Sequence, residues 1–239
     1  LALTRIQLGT VLLYLAVHKL LPETLHPDHR QSFAPGHLMR GYAQLMLSPR
    51  FVLLALASGI PFNGMFLYVL SAPAFLGEHL HLAPDQFFWF FLLSIGGVMA
   101  GAWLSGRQAG RWAPKKQIRH GFVIMLVSAV VNLVLNLLFS AHVSWALLPI
   151  TVFSFGWALV VPVVTLLLLD LYPERRGMAS SLQAFLAASA NALVAGLLAP
   201  LVMHRPLALA LASLGLTSIG LAAWLWVRPR LARPRPAEG

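Results

Sequence analysis

The 239-residue chain has no cysteine, which excludes a disulfide framework, a thiolate metal site and a cysteine nucleophile. It is also poor in charge: only 10% of its residues are Asp, Glu, Lys or Arg, against roughly 25% in a soluble domain. That is too little polar surface to cover a water-soluble globule, and far too little for a disordered chain. Acidic residues are scarcest, with 7 Asp and Glu in all, and none lies inside a long apolar stretch. Enzyme signatures are missing as well. The chain has no H-E-x-x-H zinc pair, no G-x-S-x-G nucleophile turn and no G-x-x-x-x-G-K-[ST] phosphate loop, so neither catalysis nor ATP hydrolysis is expected of it.

What the chain does have is hydrophobic residues, at 59%. A bilayer core takes about 20 apolar residues in a helix, and six stretches qualify: span A (Phe51–Leu76), B (Phe87–Gly106), C (Gly121–Ser140), D (Trp145–Leu169), E (Met178–Val202) and F (Leu207–Val227). The expected fold is therefore an all-α polytopic membrane protein. A shorter stretch, Leu8–Val17, opens the chain; His18-Lys19 follows it where a signal peptide would place small residues, so residues 1–20 read as the end of a preceding helix.

The basic residues are segregated. If the six spans alternate in direction, all Lys and Arg except Arg5 and Arg205 fall on one side: in residues 21–50 and their flank, in the B–C and D–E loops, and in the tail, 228–239. Lys and Arg near span ends remain in the cytoplasm, which predicts a cytoplasmic C-terminus. The net charge of +10 then records membrane orientation and attraction to anionic lipid, with no nucleic-acid partner expected, because the cations are spread over several short loops. Within residues 21–50, Leu38, Tyr42, Leu45 and Met46 have the spacing of a short helix on the membrane surface; the Pro and Gly content fits an unstructured linker between two membrane halves equally well.

Inside the spans, Gly97 and Gly101 in B form a small-xxx-small step suited to close helix packing. Pro61 and Pro73 in A, and Pro149 and Pro162 in D, predict kinks. Polar groups at membrane depth are costly and face the bundle interior; they include Ser58, Asn63, Tyr68, Ser71, Ser94, Asn132, Asn136, Gln183 and Asn191. Each is either a cavity wall or an interhelical hydrogen bond. Phe62, Phe66, Tyr68 and Trp157 offer contacts for an apolar substrate. Asp170, at the basic end of D and near Arg175 and Arg176, reads as a gate charge or a solvated helix end.

Several motifs carry a family resemblance. Leu21-Pro22-Glu23-Thr24-Leu25 resembles the segment after the sixth helix of drug-efflux major-facilitator proteins. Phe66 to Phe75 resembles the F-x-Y-x-x-x-S-P-F pattern of the seventh helix in the Bcr/CflA subfamily, with Pro73 one place late. Leu82–Phe87 resembles the start of its eighth helix, and Pro162–Asp170 followed by Arg176–Ser181 its tenth-to-eleventh-helix link. Gly106–Arg111 resembles a degenerate G-x-x-x-D-R-x-G-R loop that has lost its Asp.

The resemblance implies a six-helix C-terminal bundle with a 3+3 inverted repeat over 51–227, and a missing N-terminal half. It implies proton-coupled efflux of lipophilic drugs or small metabolites by alternating access, with no cofactor beyond a proton gradient, in a bacterial inner membrane. Spans A, B, D and E would line the cavity, with Asn63, Phe66, Tyr68, Ser71, Ser94, Trp157 and Gln183 as candidate substrate contacts. Asn132 and Asn136, on C, would be structural. Arg107, Arg111, Asp170 and Arg176 would be gate charges. The coupling acid would lie in the absent half. The alternative reading is a six-span scaffold or assembly protein without a transport cycle.

Overall fold

A computed structural model describes Thr10, Tyr14, Leu15 and residues 34–139 and 142–232. Among the described residues the chain is helical, without strands. It forms two compact units, residues 1–39 and 40–239. In the first, Thr10, Tyr14 and Leu15 are helical. The Leu21–Leu25 motif, most of the preceding-helix segment and the tail beyond Ala232 lie outside the described residues.

Among the described residues, five helical segments are long and apolar enough to cross a membrane: Pro84–Gln108, Pro114–Leu138, Trp145–Leu171, Pro173–Val202 and Pro206–Val227. A bent pair, Pro49–Gly59 with Phe62–Leu70, has the length and composition of a sixth if taken as one span. The elements are α1 (Pro35–Met46), α2 (Pro49–Gly59), α3 (Phe62–Leu70), α4 (Phe88–Gln108), α5 (Pro114–Leu138), α6 (Val143–Leu171), α7 (Arg176–Leu193), α8 (Ala199–Val202) and α9 (Pro206–Val227). The spacing of Leu38, Tyr42, Leu45 and Met46 falls on a helix, α1, which within residues 40–46 buries Gly41 and Leu45.

Span A is broken. Between α2 and α3 the axis turns by 42°. Pro61 supplies no N–H to the ladder, and the chain passes it on tighter bonds, from Asn63 N to Ile60 O and from Gly64 N to Pro61 O. Beyond α3, Pro73–His79 winds as a wide π-helical turn, which carries the span past its expected end at Leu76. Span E has a second π-helical turn, Val194–Leu198, between α7 and α8.

Span D is not broken at its prolines. Pro149 and Pro162 both lie inside a single helix, α6. Proline is tolerated inside membrane helices; beside Pro149, Ser128 Oγ reaches across from α5 and donates to the Pro149 carbonyl, which ties the two helices together at that level. Span C corrects a boundary. Its helix starts at Pro114, so Lys115, Lys116 and Arg119 stand on its first turns and not in the loop. Pro at the first helical position is preorganised for a start, and long cationic side chains keep their heads in water from within a helix.

The bundle is built around D. α6 packs against α4 and α5 along much of its length and also meets α2, α3 and α7; α9 covers α2, α3 and α5. Glycines set the spacing. A Cβ on Gly97 would strike the Thr151 carbonyl oxygen, and one on Gly101 the Phe155 carbonyl oxygen, so α4 touches α6 backbone to backbone. Gly121 of α5 and Gly156 of α6 make the matching contact on the other side. Pro61 is seated in the gap left by Gly220 of α9. Span E is the most peripheral: 11% of its apolar window is buried, against 44% for D. At the basic ends of B, C and F, three cations lie over tryptophan rings, Arg107 on Trp103, Lys116 on Trp112 and Arg230 on Trp226, at 5.3, 5.6 and 5.6 Å.

Candidate functional site

The break in span A organises the most chemically varied cluster in the bundle. In the turn before Pro61, both Ser58 oxygens accept from other spans, while the hydroxyl donates to the Ala55 carbonyl of its own helix at 3.0 Å. Its carbonyl accepts the Trp157 indole N–H at 3.3 Å, and its hydroxyl oxygen accepts from Gln183 Nε2 at 3.0 Å. The same Gln183 nitrogen donates to Thr165 Oγ1 at 3.1 Å. Thr165 lies two turns beyond Trp157 on α6, so both side chains share a face of that helix. Gln183 thus ties spans A, D and E together. Just past the break, the Phe62 ring stacks on Phe66 at 5.2 Å between centroids and meets Trp157 at 4.9 Å. Phe62, Phe66, Trp157 and Gln183 are all half-buried.

Two carboxamides in spans A and E have acceptors without a partner among the described residues, and that of Asn63 follows directly on Phe62. Asn63 is fully buried; its Nδ2 donates to the Gly59 carbonyl at 3.3 Å, while its Oδ1 has no hydrogen-bond partner among the described residues. Asn191 Oδ1 is likewise buried and unpartnered. A Cβ on Gly59 would stand 3.5 Å from that of Ala187. Asn63 and Asn191 follow one turn later on their respective spans.

Of the expected contacts, Phe66, Trp157 and Gln183 come together here, with Asn63 adjacent. The others sit elsewhere. Tyr68 is buried against span C: its hydroxyl accepts from Asn132 Nδ2 at 2.6 Å, and its ring meets Phe75 edge-on at 5.0 Å. Asn136 Nδ2 then donates to the Asn132 carbonyl and side-chain oxygens at 2.8 and 3.1 Å, which makes a polar clamp between A and C. Ser71, at the C-terminal cap of α3, and Ser94, one turn before the close Gly97 contact, are buried without hydroxyl partners among the described residues. They occupy helix interfaces.

The charge candidates are exposed. Asp170 and Arg176 form an ion pair at 3.1 Å with side chains 66% and 59% exposed. Arg107 and Arg111 are exposed on the B–C connection. Ser58 and Thr165 complete the site; the hydroxyl of Ser58 is visible among the polar residues of span A, but nothing in the sequence marks Thr165.

The arrangement is suited to a ligand with both apolar surface and hydrogen-bond donors. Three aromatic faces supply dispersion and attract cations. The Asn63 oxygen supplies an acceptor that is costly to leave unmet in an apolar interior. No Asp, Glu, His, Lys or Arg belongs to the cluster, and no group of His, Asp or Glu among the described residues is placed to hold a metal.

No curated protein matches the chain. The family comparison does find a match, to the Major Facilitator Superfamily, and it runs over residues 6–195, most of the chain. Apolar helices in this number, packed around a proline-bearing central span and matched over that length, place the chain in the Major Facilitator Superfamily of membrane transporters.

Proposed function

We propose that the chain is the C-terminal half of a Bcr/CflA-type exporter that moves lipophilic, cationic or donor-rich small molecules outward in exchange for protons. The observation that carries this reading is the half-buried wall of Phe62, Phe66 and Trp157 with Gln183 bridging spans A, D and E at the break in A. Aromatic faces bind a delocalised cation, and Asn63 Oδ1, buried next to Phe62 without a partner among the described residues, is an acceptor for its N–H or O–H groups. The ordered motifs from Phe66 through Ser181 support the subfamily. The six spans lack an ionisable side chain at mid-depth, so the proton-coupling acid belongs to the N-terminal half of the transporter. The basic span ends face the cytoplasm of a bacterial cell, with the C-terminus on the same side.

The test uses the intact coding frame in cells loaded with tetraphenylphosphonium. Trp157→Leu is expected to lower efflux about tenfold, the loss of one desolvated cation–π contact. Tyr68→Phe, which leaves the wall intact, is expected to transport normally. Equal efflux from both variants would remove the wall as the substrate site. Efflux indifferent to collapse of the proton gradient in the unmodified protein would remove the coupling and favour a scaffold.

A further inference from the structure

A cleft of about 790 Å³ opens at the basic end of the bundle, far in sequence from the aromatic wall. One side is the end of α1 and the start of α2, with Gln44, Ser48 and Arg50; the other is the α6–α7 junction, with Tyr172, Glu174 and Arg175. The walls are braced to each other. Ser48 Oγ and the Tyr172 hydroxyl hydrogen-bond at 2.7 Å, Arg175 donates to the Gln44 amide oxygen, and the Tyr172 ring meets Phe51 edge-on at 5.9 Å.

The charge inside the cleft is unbalanced. Among the described residues, two guanidinium groups and one carboxylate, that of Glu174, line it. The nearby Asp170 does not restore the balance, because it pairs with Arg176. Arg50 is half-buried and makes no hydrogen bond or ion pair with the described residues. A guanidinium carries five N–H donors in a planar fork matched to phosphate oxygens. Left half-buried and unpaired, it draws an anion into the cleft.

We propose that this cleft is a phosphate-binding site occupied by the headgroup of an anionic phospholipid, with Arg50 and Arg175 contacting the phosphate. The chain next to the cleft favours lipid over a free phosphate. Met46 and Leu47, immediately before Ser48, are 43% and 82% exposed, and apolar side chains at that position are placed to enter acyl chains beside a bound headgroup. Basic pockets between spans on the cytoplasmic side hold acidic headgroups in this way. The site is independent of the cargo proposed above and would stand if that reading fell.

The experiment is native mass spectrometry of the purified chain in detergent, titrated with phosphatidylglycerol, phosphatidylcholine or soluble glycerol phosphate. One phosphatidylglycerol is expected to be retained above the phosphatidylcholine background. Arg50→Gln should weaken retention about fivefold, and Arg50→Gln with Arg175→Gln about twenty-five-fold. Arg111→Gln, on another basic connection, should leave it unchanged. No preference for phosphatidylglycerol, or the same loss in Arg111→Gln as in Arg50→Gln, overturns the site. Glycerol phosphate that binds as tightly as the lipid overturns the lipid source and assigns the cleft to a soluble phosphate. Because Arg50→Gln breaks no hydrogen bond or ion pair with the described residues, the single variant keeps the test sound even if the double variant fails to fold.

Discussion

The Asn132 carboxamide donates to the Tyr68 hydroxyl at 2.6 Å and so joins spans A and C through two side chains 64 residues apart. Both residues are almost fully buried. Neither has water to fall back on, so each depends on the other. Asn132→Leu leaves the Tyr68 hydroxyl without its donor and is expected to cost about 1–3 kcal/mol. Adding Tyr68→Phe should recover part of that loss, with a coupling of about 0.6 kcal/mol, the mean for hydrogen bonds between membrane helices. Unfolding of the single and double variants in detergent measures it; strictly additive losses would contradict the clamp.

Gly97 and Gly101 allow α4 to rest on the carbonyl oxygens of Thr151 and Phe155. A side chain at either position must push the two backbones apart. Gly101→Val is expected to lower stability by about 1–3 kcal/mol, the usual penalty for overpacking. Gly96→Val is the internal control, since a Cβ there meets nothing within 4 Å. Thermal unfolding should separate the two variants clearly; equal melting temperatures would mean that α4 does not approach α6 through this face.

Pro61 and Gly220 are complementary in shape. A Cβ on Gly220 would run into the Pro61 ring. Gly220→Ala should therefore destabilise the A–F contact and lower the melting temperature. Pro61→Ala introduced alongside it should restore part of the loss by removing the ring. If the second change deepens the loss instead, the bend at Pro61 matters more than its fit against α9.

Hydropathy alone made much of this fold legible, because the spans are long and their interiors uncharged. Where expectation and structure part, the reason is local. Span C begins earlier than its apolar run because Lys115, Lys116 and Arg119 count as charges in a window but extend their ends to water from a helix. The π-helical turns in A and E leave no mark on composition. Proline interrupts the helix in A, whereas in D the helix runs on through Pro149 and Pro162, with neighbours packed on both sides.

The site is harder to read. Trp157 and Gln183 stand out by residue type, yet which hydroxyls they meet depends on how each helix is rotated. Ser58, Ser71 and Ser94 look alike in the sequence; only the first meets the aromatic wall, because it occupies the turn that Pro61 interrupts. Tyr68 and Trp157 both lie on spans expected to line a cavity, and they point to different neighbours.

The wide turn at Val194–Leu198 has a consequence for how this span tolerates change in length. A π-helical turn holds one more residue than the α-helical turn it replaces, and the helix resumes its ordinary course on either side. Loss of a single residue within Val194–Leu198 would therefore be absorbed by the turn itself, which would tighten into an α-helical one. The faces of the helix before and after it would keep their partners. The same deletion a few turns earlier, at the level of Gln183, would rotate every side chain beyond it by about 100°. Span E thus carries its own slack, and it lies beyond the residues that bridge the site.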